Sequence, residues 1–192
     1  MTIFYTADPH FGHNSIIKFC SRPWVDTSEM DSALIDRWNF VVGAEDTVYV
    51  LGDFTFKGKT RADEYLARLN GHKHLIIGNH DPESTQTREG WASVNHYAEV
   101  KDGDAKCVLF HYPIREWNGC YHGTYHLYGH VHGGAPADGR SLDVGVDCWD
   151  YTPVTLDQIK ARLIELGTHD VFIPHHARVA GRITLDPNWK ES

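Results

Sequence analysis

The chain has 192 residues, 41% of them hydrophobic and 23% charged, which fits one globular domain with a full core and excludes wholesale disorder. Its net charge of −8 argues against a broad basic face that grips nucleic acid, so no stable nucleic-acid complex is expected. No apolar run reaches membrane-spanning length and the N-terminus lacks a signal-peptide layout, so the expectation is a cytoplasmic protein with no membrane partner.

Cys20, Cys107, Cys120 and Cys148 form no Cys-x-x-Cys pair and read as small buried or half-buried apolar residues of a reducing compartment. The compositional oddity is fourteen histidines. Their placement along the chain decides what they mean.

Thr2 to Ala7 is β-rich and runs into Asp8-Pro9-His10. Residues two apart on an extended chain point the same way, so Asp8 and His10 can converge on one ion. Alone, the same string reads first as an Asp-Pro turn closing the strand. Phe11-Gly12-His13-Asn14 follows as a loop, with His13 and Asn14 as candidates for substrate contact or for capping what comes next.

A helix is expected from an N-cap at Ser28, with Met30, Leu34, Trp38 and Val41 as its apolar stripe and Gly43 beyond its end. Asp46 to Leu51 is a second apolar strand, and it stops on Gly52-Asp53. A carboxylate at the end of a buried strand is costly unless a cation meets it. Lys57 and Lys59 sit on a loop, Thr60 caps a helix reaching about Asn70, and the chain re-enters a sheet over His74 to Gly78, with His72 and His74 on the surface. That strand ends in Gly78-Asn79-His80-Asp81, polar side chains delivered to a sheet edge where α/β proteins place their chemistry.

Pro82 to Glu89 lacks periodicity and reads as a mobile flap. Val94 to Val100 and Lys106 to Phe110 read as a hairpin about Asp102-Gly103-Asp104, its second strand ending on His111. Tyr125 to Tyr128 is a strand followed by Gly129-His130-Val131-His132, two histidines on one face beside glycine, which suits metal ligation. Ser141 to Cys148 is one more strand. Thr155 with Gln158 forms a capping box for a helix that turns Ile159, Leu163 and Leu166 inward and closes at Gly167. Val171 to Ile173 and Arg182 to Leu185 are strand-like, with His175 and His176 exposed.

The strings Asp8-Pro9-His10, Gly52-Asp53, Gly78-Asn79-His80-Asp81, His111 and Gly129-His130-Val131-His132 resemble, in order, the motif set of the calcineurin-like metallophosphoesterase superfamily, in particular its small bacterial and phage phosphoesterases. The resemblance spans residues 8 to 132. It implies an α/β (α+β) fold in four layers: a sandwich of two facing mixed β-sheets flanked by helices, with residues 1–192 a single metallophosphoesterase domain and 168–192 a C-terminal extension. It also implies two divalent transition-metal ions. Asp8, His10 and His132 would hold one, and Asn79, His111 and His130 the other, with Asp53 bridging. Mixed nitrogen and oxygen ligands suit manganese, the first expectation, or iron, zinc, cobalt or nickel.

Such a pair lowers the pKa of a bridging hydroxide, the expected nucleophile, and neutralises phosphoryl oxygens. His80 is the expected general acid, with Asp81 as its orienting partner. Asn79, His13 and Arg115 are the expected substrate contacts; Tyr112 and Trp117 flank the Arg115 loop. One departure matters: Gly52-Asp53-Phe54-Thr55-Phe56-Lys57-Gly58 lacks the phosphate-clamping Arg of the phosphoprotein phosphatases. The expected substrate is therefore a phosphodiester or a small phosphorylated molecule such as a nucleotide. The rivals are a nuclease with the same centre and a non-catalytic scaffold of the same fold. The sequence leaves the oligomeric state open.

Overall fold

The structure, a computed structural model, describes residues 1–56, 62–87 and 89–168. Lys57, Lys59 and Thr60, the strand-like runs after 168, and His175 and His176 lie outside them.

Two mixed sheets face each other. The first is built from β1 (Ile3–Thr6), β2 (Thr47–Val50), β3 (His72–Ile76), β4 (Trp91–Asn95) and β9 (Val154–Thr155), in the order β4-β3-β2-β1-β9. Its first four strands are parallel, and β9 runs antiparallel to β1. The second sheet takes β5 (Tyr97–Asp102), β6 (Ala105–Phe110), β7 (Tyr125–Tyr128) and β8 (Ser141–Asp143) in chain order. Only β5 is antiparallel to its neighbour. Helices flank the sheets, so the expected architecture holds.

Period-two alternation assigns the side chains of β1. Phe4 packs with Val48, Val50 and Leu75 against the apolar stripe of α2 (Thr27–Val41), whose Met30, Leu34, Ile35 and Trp38 are buried there. Ile16 and Ile17 of α1 (Asn14–Phe19) and Tyr65 and Leu66 of α3 (Ala62–Leu66) complete that core. Tyr5 points the other way. With Leu51 and Ile76 it meets Cys107, Leu109, Leu127 and Leu142 of the second sheet, and Ile159 and Leu163 of α5 (Leu156–Glu165) pack into the same core. The burial of these two cores is the main stabilising term.

Several local expectations change. The N-cap of α2 is Asp26, whose carboxylate accepts from the Glu29 amide at 2.9 Å, in place of Ser28. The Pro82–Glu89 segment contains the short helix α4 (Glu83–Gln86), and Thr85 is buried with its hydroxyl 2.8 Å from that of Thr55, contacts that contradict a flap. The apolar run 94–100 is no single hairpin strand: β4 ends in the first sheet, and β5 begins in the second after His96 alone. His74 is half-buried, with its ring stacked on Tyr49 and its Nδ1 2.7 Å from the Ser93 hydroxyl. Ser141 to Cys148 is strand only to Asp143, then a 3-10 turn over Val146–Cys148. Cys148 is exposed, and Leu166 is 44% exposed where an inward side chain was expected.

Because β1, β2 and β3 are parallel, as are β6, β7 and β8, the loops after all six leave from one end. There the sheets are laced together. Ala7 pairs with Gly145, and the Val146 amide donates to the Ala7 carbonyl at 2.9 Å. The Asp8 amide donates to the Gly52 carbonyl, His10 to Asp53 and Gly129 to His111, each at 3.0 Å.

Candidate metal centre

At this laced end, two clusters of ligand atoms form. Asp8, His10 and His132 make one, and Asp53, His111 and His130 the other; within each, the atoms lie inside 4.8 Å of one another. Asp53 stands between them: its Oδ2 is 3.6 Å from His10 Nε2 and its Oδ1 is 3.6 Å from His111 Nε2. Asn79 adjoins the second cluster, its Oδ1 3.0 Å from His111 Nε2. The fold thus brings together all seven expected ligands, from segments as far apart as Asp8 and His132.

Glycines make the approach possible. A Cβ on Gly78 would lie 2.3 Å from Asp53 Oδ1, and one on Gly129 would lie 2.4 Å from Asp8 Oδ2. Either would push a carboxylate out of the centre.

The donor atoms fit a cation. Asp8 Oδ1 and His10 Nε2 are buried without a hydrogen-bond partner among the described residues, a costly condition unless a metal completes them. His111 Nδ1 is 2.7 Å from the Leu51 carbonyl, and His132 Nδ1 is 2.7 Å from Asp147 Oδ2. Each Nδ1 therefore carries the proton, and each Nε2 presents a lone pair. The 3.0 Å between Asn79 Oδ1 and His111 Nε2 matches two adjacent ligands at about 2.1 Å on one ion.

Electrostatics agree. Burial, then the charges of Asp53 and Asp143, pushes the Asp8 carboxyl well above its usual range. Burial, then the neighbouring His132, pushes the His10 imidazole far down, and burial also lowers His111. Buried carboxylates repelling one another beside neutral imidazoles form a cage that a divalent cation relieves.

His80 is half-buried, its amide donating to Asp53 Oδ1 at 2.8 Å and its ring 5.5 Å from that of His10. Asp81 does not orient that ring. Its Oδ2 accepts from the Asp53 and Gly78 amides at 2.8 and 2.9 Å, and its Oδ1 from Phe54 at 2.8 Å. Asp81 instead ties the Gly52-Asp53 turn to the Gly78 turn; the buried carboxylate is spent on backbone. Burial raises its carboxyl to about 6 even against these amides.

His13 is buried, its ring lying face-on against Phe56 at 3.6 Å and its Nδ1 3.4 Å from His10 Nδ1. Burial lowers it to about 4. Arg115 is exposed and, among the described residues, makes no hydrogen bond or ion pair. Trp117 packs over His126 at 5.4 Å and donates to the Thr124 carbonyl. Tyr112, in contrast, reaches the centre, edge-on to His130 at 4.7 Å.

Sequence inspection missed three residues. Arg22, 4% exposed, forms a two-pronged pair with Asp147 at 2.8 Å on each prong, and donates to the carbonyls of Asp8 and Pro9 at 2.8 and 2.9 Å. Asp147 in turn holds His132. Against the burial that raises it, hydrogen bonds from His132 and Arg22 keep its carboxyl below the usual range. Asp143 accepts from the Gly133 and Gly145 amides at 2.8 and 2.7 Å, fixing the turn beyond His132. For Asp143 a signal existed: an Asp that ends a buried strand, with a glycine, Gly145, two positions on.

No family model matches the chain. The uncharacterized protein MJ1445 of Methanocaldococcus jannaschii is 36% identical over 174 residues, covering 86% of this chain and 92% of its own. The gene 66 protein of Mycobacterium phage L5 is 28% identical over 180 residues, covering 76% of this chain and 86% of its own. A solved structure of the Aquifex aeolicus protein of unknown function AQ665 aligns with a TM-score of 0.66 at 24% identity, over 83% of this chain and 98% of that one, and so shares its fold. The chain belongs to the family of the archaeal MJ1445 protein.

Proposed function

We propose that the protein is a dinuclear metal-dependent phosphoester hydrolase acting on a phosphodiester or a small phosphorylated molecule, with nucleotides included. The observation that carries this is Asp53, one carboxylate spanning two His/Asp clusters, with Asp8 Oδ1 and His10 Nε2 left without a hydrogen-bond partner among the described residues. Asp8, His10 and His132 would hold one ion, Asn79, His111 and His130 the other, with Asp53 shared. Manganese is the first metal to test. The ions supply Lewis acidity at the phosphoryl group.

The chain's own residues do the rest. Asp53 fixes the His80 backbone, so the His80 ring stands beside the His10 ring at the edge of the centre. Protonated, it would give its proton to the alkoxide as the phosphorus–oxygen bond breaks and an attacking water adds opposite, that water releasing its own proton to solvent. His13, braced on Phe56, lines the same side and offers its ring to the ester substituent. Asp81 keeps Asp53 in place through the backbone.

Metal-reconstituted protein should hydrolyse bis(p-nitrophenyl) phosphate, with mono-esters, single-stranded and duplex nucleic acids as parallel substrates. His80→Ala should lower turnover about 10²- to 10⁴-fold on esters with poor leaving groups. It should cost far less with p-nitrophenolate, and metal content should stay unchanged. An equal loss on both ester types removes the proton-donor role, and no hydrolysis of any ester by metal-loaded protein removes the enzyme assignment.

A further inference from the structure

A cavity of about 370 Å³ opens directly off the first ligand cluster, with His132 in its lining. Because β9 runs antiparallel to β1, away from the laced end, α5 returns toward that end and brings Leu166 to one wall of the cavity. The other walls are Pro136 and Ala137 of the loop after His132, Leu142 of β8 and Trp149 of the turn that follows. Trp149 is held in place: its indole N–H donates to the Asp143 carbonyl at 2.8 Å, and its ring packs against the second core. With that N–H spent, what Trp149 gives the cavity is ring carbon. The two carboxylates in the lining are spent as well. Asp143 accepts from the Gly133 and Gly145 amides, and Asp147 holds Arg22 and His132. Arg162 is exposed and paired with Glu165 at 3.1 Å.

We propose that this cavity is a subsite for the organic group that stays on phosphorus, and that the group is a planar, uncharged ring, either a nucleobase or an aryl group; the proposal rests on the hydrolase reading and gives it a substrate class. The departing group leaves beside His80, whose ring is 6.4 Å from that of His13 and 5.3 Å from that of Phe56. His132 instead stacks on His10 at 5.3 Å, so a phosphoryl group held at the first cluster has the cavity within reach of its second substituent. The volume sits near the lower end of small-molecule pockets, about 300 to 1,000 Å³. That admits one ring system and no folded partner or duplex. A charged or many-hydroxyl substituent would give up its water to walls that return few hydrogen bonds. A flat ring loses little and gains Trp149, and contact of this kind between a base and an aromatic side chain is worth roughly 5- to 150-fold in affinity. Ala137, Leu142 and Trp149 thus set specificity without touching the reacting atoms.

Three diesters that share p-nitrophenolate as leaving group test this: the p-nitrophenyl esters of thymidine 5′-phosphate, phenyl phosphate and methyl phosphate. Metal-loaded protein should show a KM at least about tenfold lower for the thymidyl or the phenyl ester than for the methyl ester, with kcat little changed. A thymidyl KM at or below the phenyl one identifies a nucleobase site, and the reverse order an aryl site. Cys148→Phe, at an exposed position of the lining, should fill the cavity, and Leu166→Glu, at a position 44% exposed, should put a charge on its wall. Each should erase the ring preference and leave the methyl ester unaffected. Circular dichroism checks the fold of both, and either variant suffices if the other does not fold. Binding is read apart from turnover with phenylphosphonate and methylphosphonate, whose carbon–phosphorus bonds are not hydrolysed. By calorimetry the phenyl compound should bind metal-loaded wild type at least about tenfold more tightly than the methyl compound, and the two variants without that difference. Equal KM for all three esters in wild type, or a ring preference that survives both substitutions, overturns the subsite. Hydrolysis of none of the three overturns the hydrolase reading instead, and the phosphonates then decide the subsite by themselves.

Discussion

Strain is concentrated on the ligands. Among the described residues, eight other than glycine have positive φ, and five of them are Asp8, His10, Asp53, His130 and His132. A left-handed backbone costs a side-chain-bearing residue roughly 1–2 kcal/mol, so the centre is held against local preference by the two cores beneath it. Asp8 adds a buried, mutually repelled carboxylate. In metal-free protein Asp8→Asn should therefore raise the midpoint of thermal unfolding, by about 1 kcal/mol or more in stability, while lowering metal content. A lower midpoint than metal-free wild type would mean that Asp8 is stabilising without an ion. The proposed ligands stood out in the sequence because each is Asp, Asn or His at or just beyond the end of an apolar run. Arg22 and Asp147 were not, since they meet across 125 positions and an Arg before a Pro carries no mark of burial. Asp81 showed its residue type but not its partners, and Arg115 looked useful only by nearness in sequence to His111.

Among the elements, β7 holds a histidine that no ion needs. His126 is fully buried; its Nε2 accepts from the Ile114 amide at 2.9 Å, and its Nδ1 donates to the Val108 carbonyl at 3.2 Å. Burial lowers it to about 4. The folded state thus binds fewer protons than the unfolded one between pH 6.5 and about 4. This contribution is fully present above pH 6.5 and is lost as pH falls toward 4, on the order of 3 kcal/mol in all. Urea unfolding should show a smaller loss of stability from pH 7 to pH 5 for His126→Gln than for wild type, by about 2 kcal/mol. Equal losses would mean that His126 titrates normally. Elements with strong local chemistry, such as the capping box on α5, were readable from sequence. The break between β4 and β5 was not, because one apolar run served two sheets and only tertiary pairing separates its halves.

For the whole molecule, metal and fold are coupled. Any ion that binds the folded cage and not the unfolded chain adds about 2.7 kcal/mol per site when free metal is a hundred times its dissociation constant. The unfolding midpoint should rise on adding Mn²⁺ or Zn²⁺ and fall back with chelator. A midpoint indifferent to every divalent transition metal would show that the clusters bind none. Strand and helix alternation implied layered α/β structure without choosing among layer types; the two facing sheets followed from the motif order, which no residue periodicity contains.

The pairing of Phe4 with Thr155 and Tyr5 with Val154 has a consequence for biogenesis. The second strand ladder is complete before β9 has been translated, yet the first cannot be finished until nearly all the described chain has left the ribosome. Until then the flank of β1 that pairs with β9 offers bare amides and carbonyls at Phe4 and Tyr5. Nascent polypeptide therefore passes through a sticky, half-assembled stage whose duration is set by translation speed.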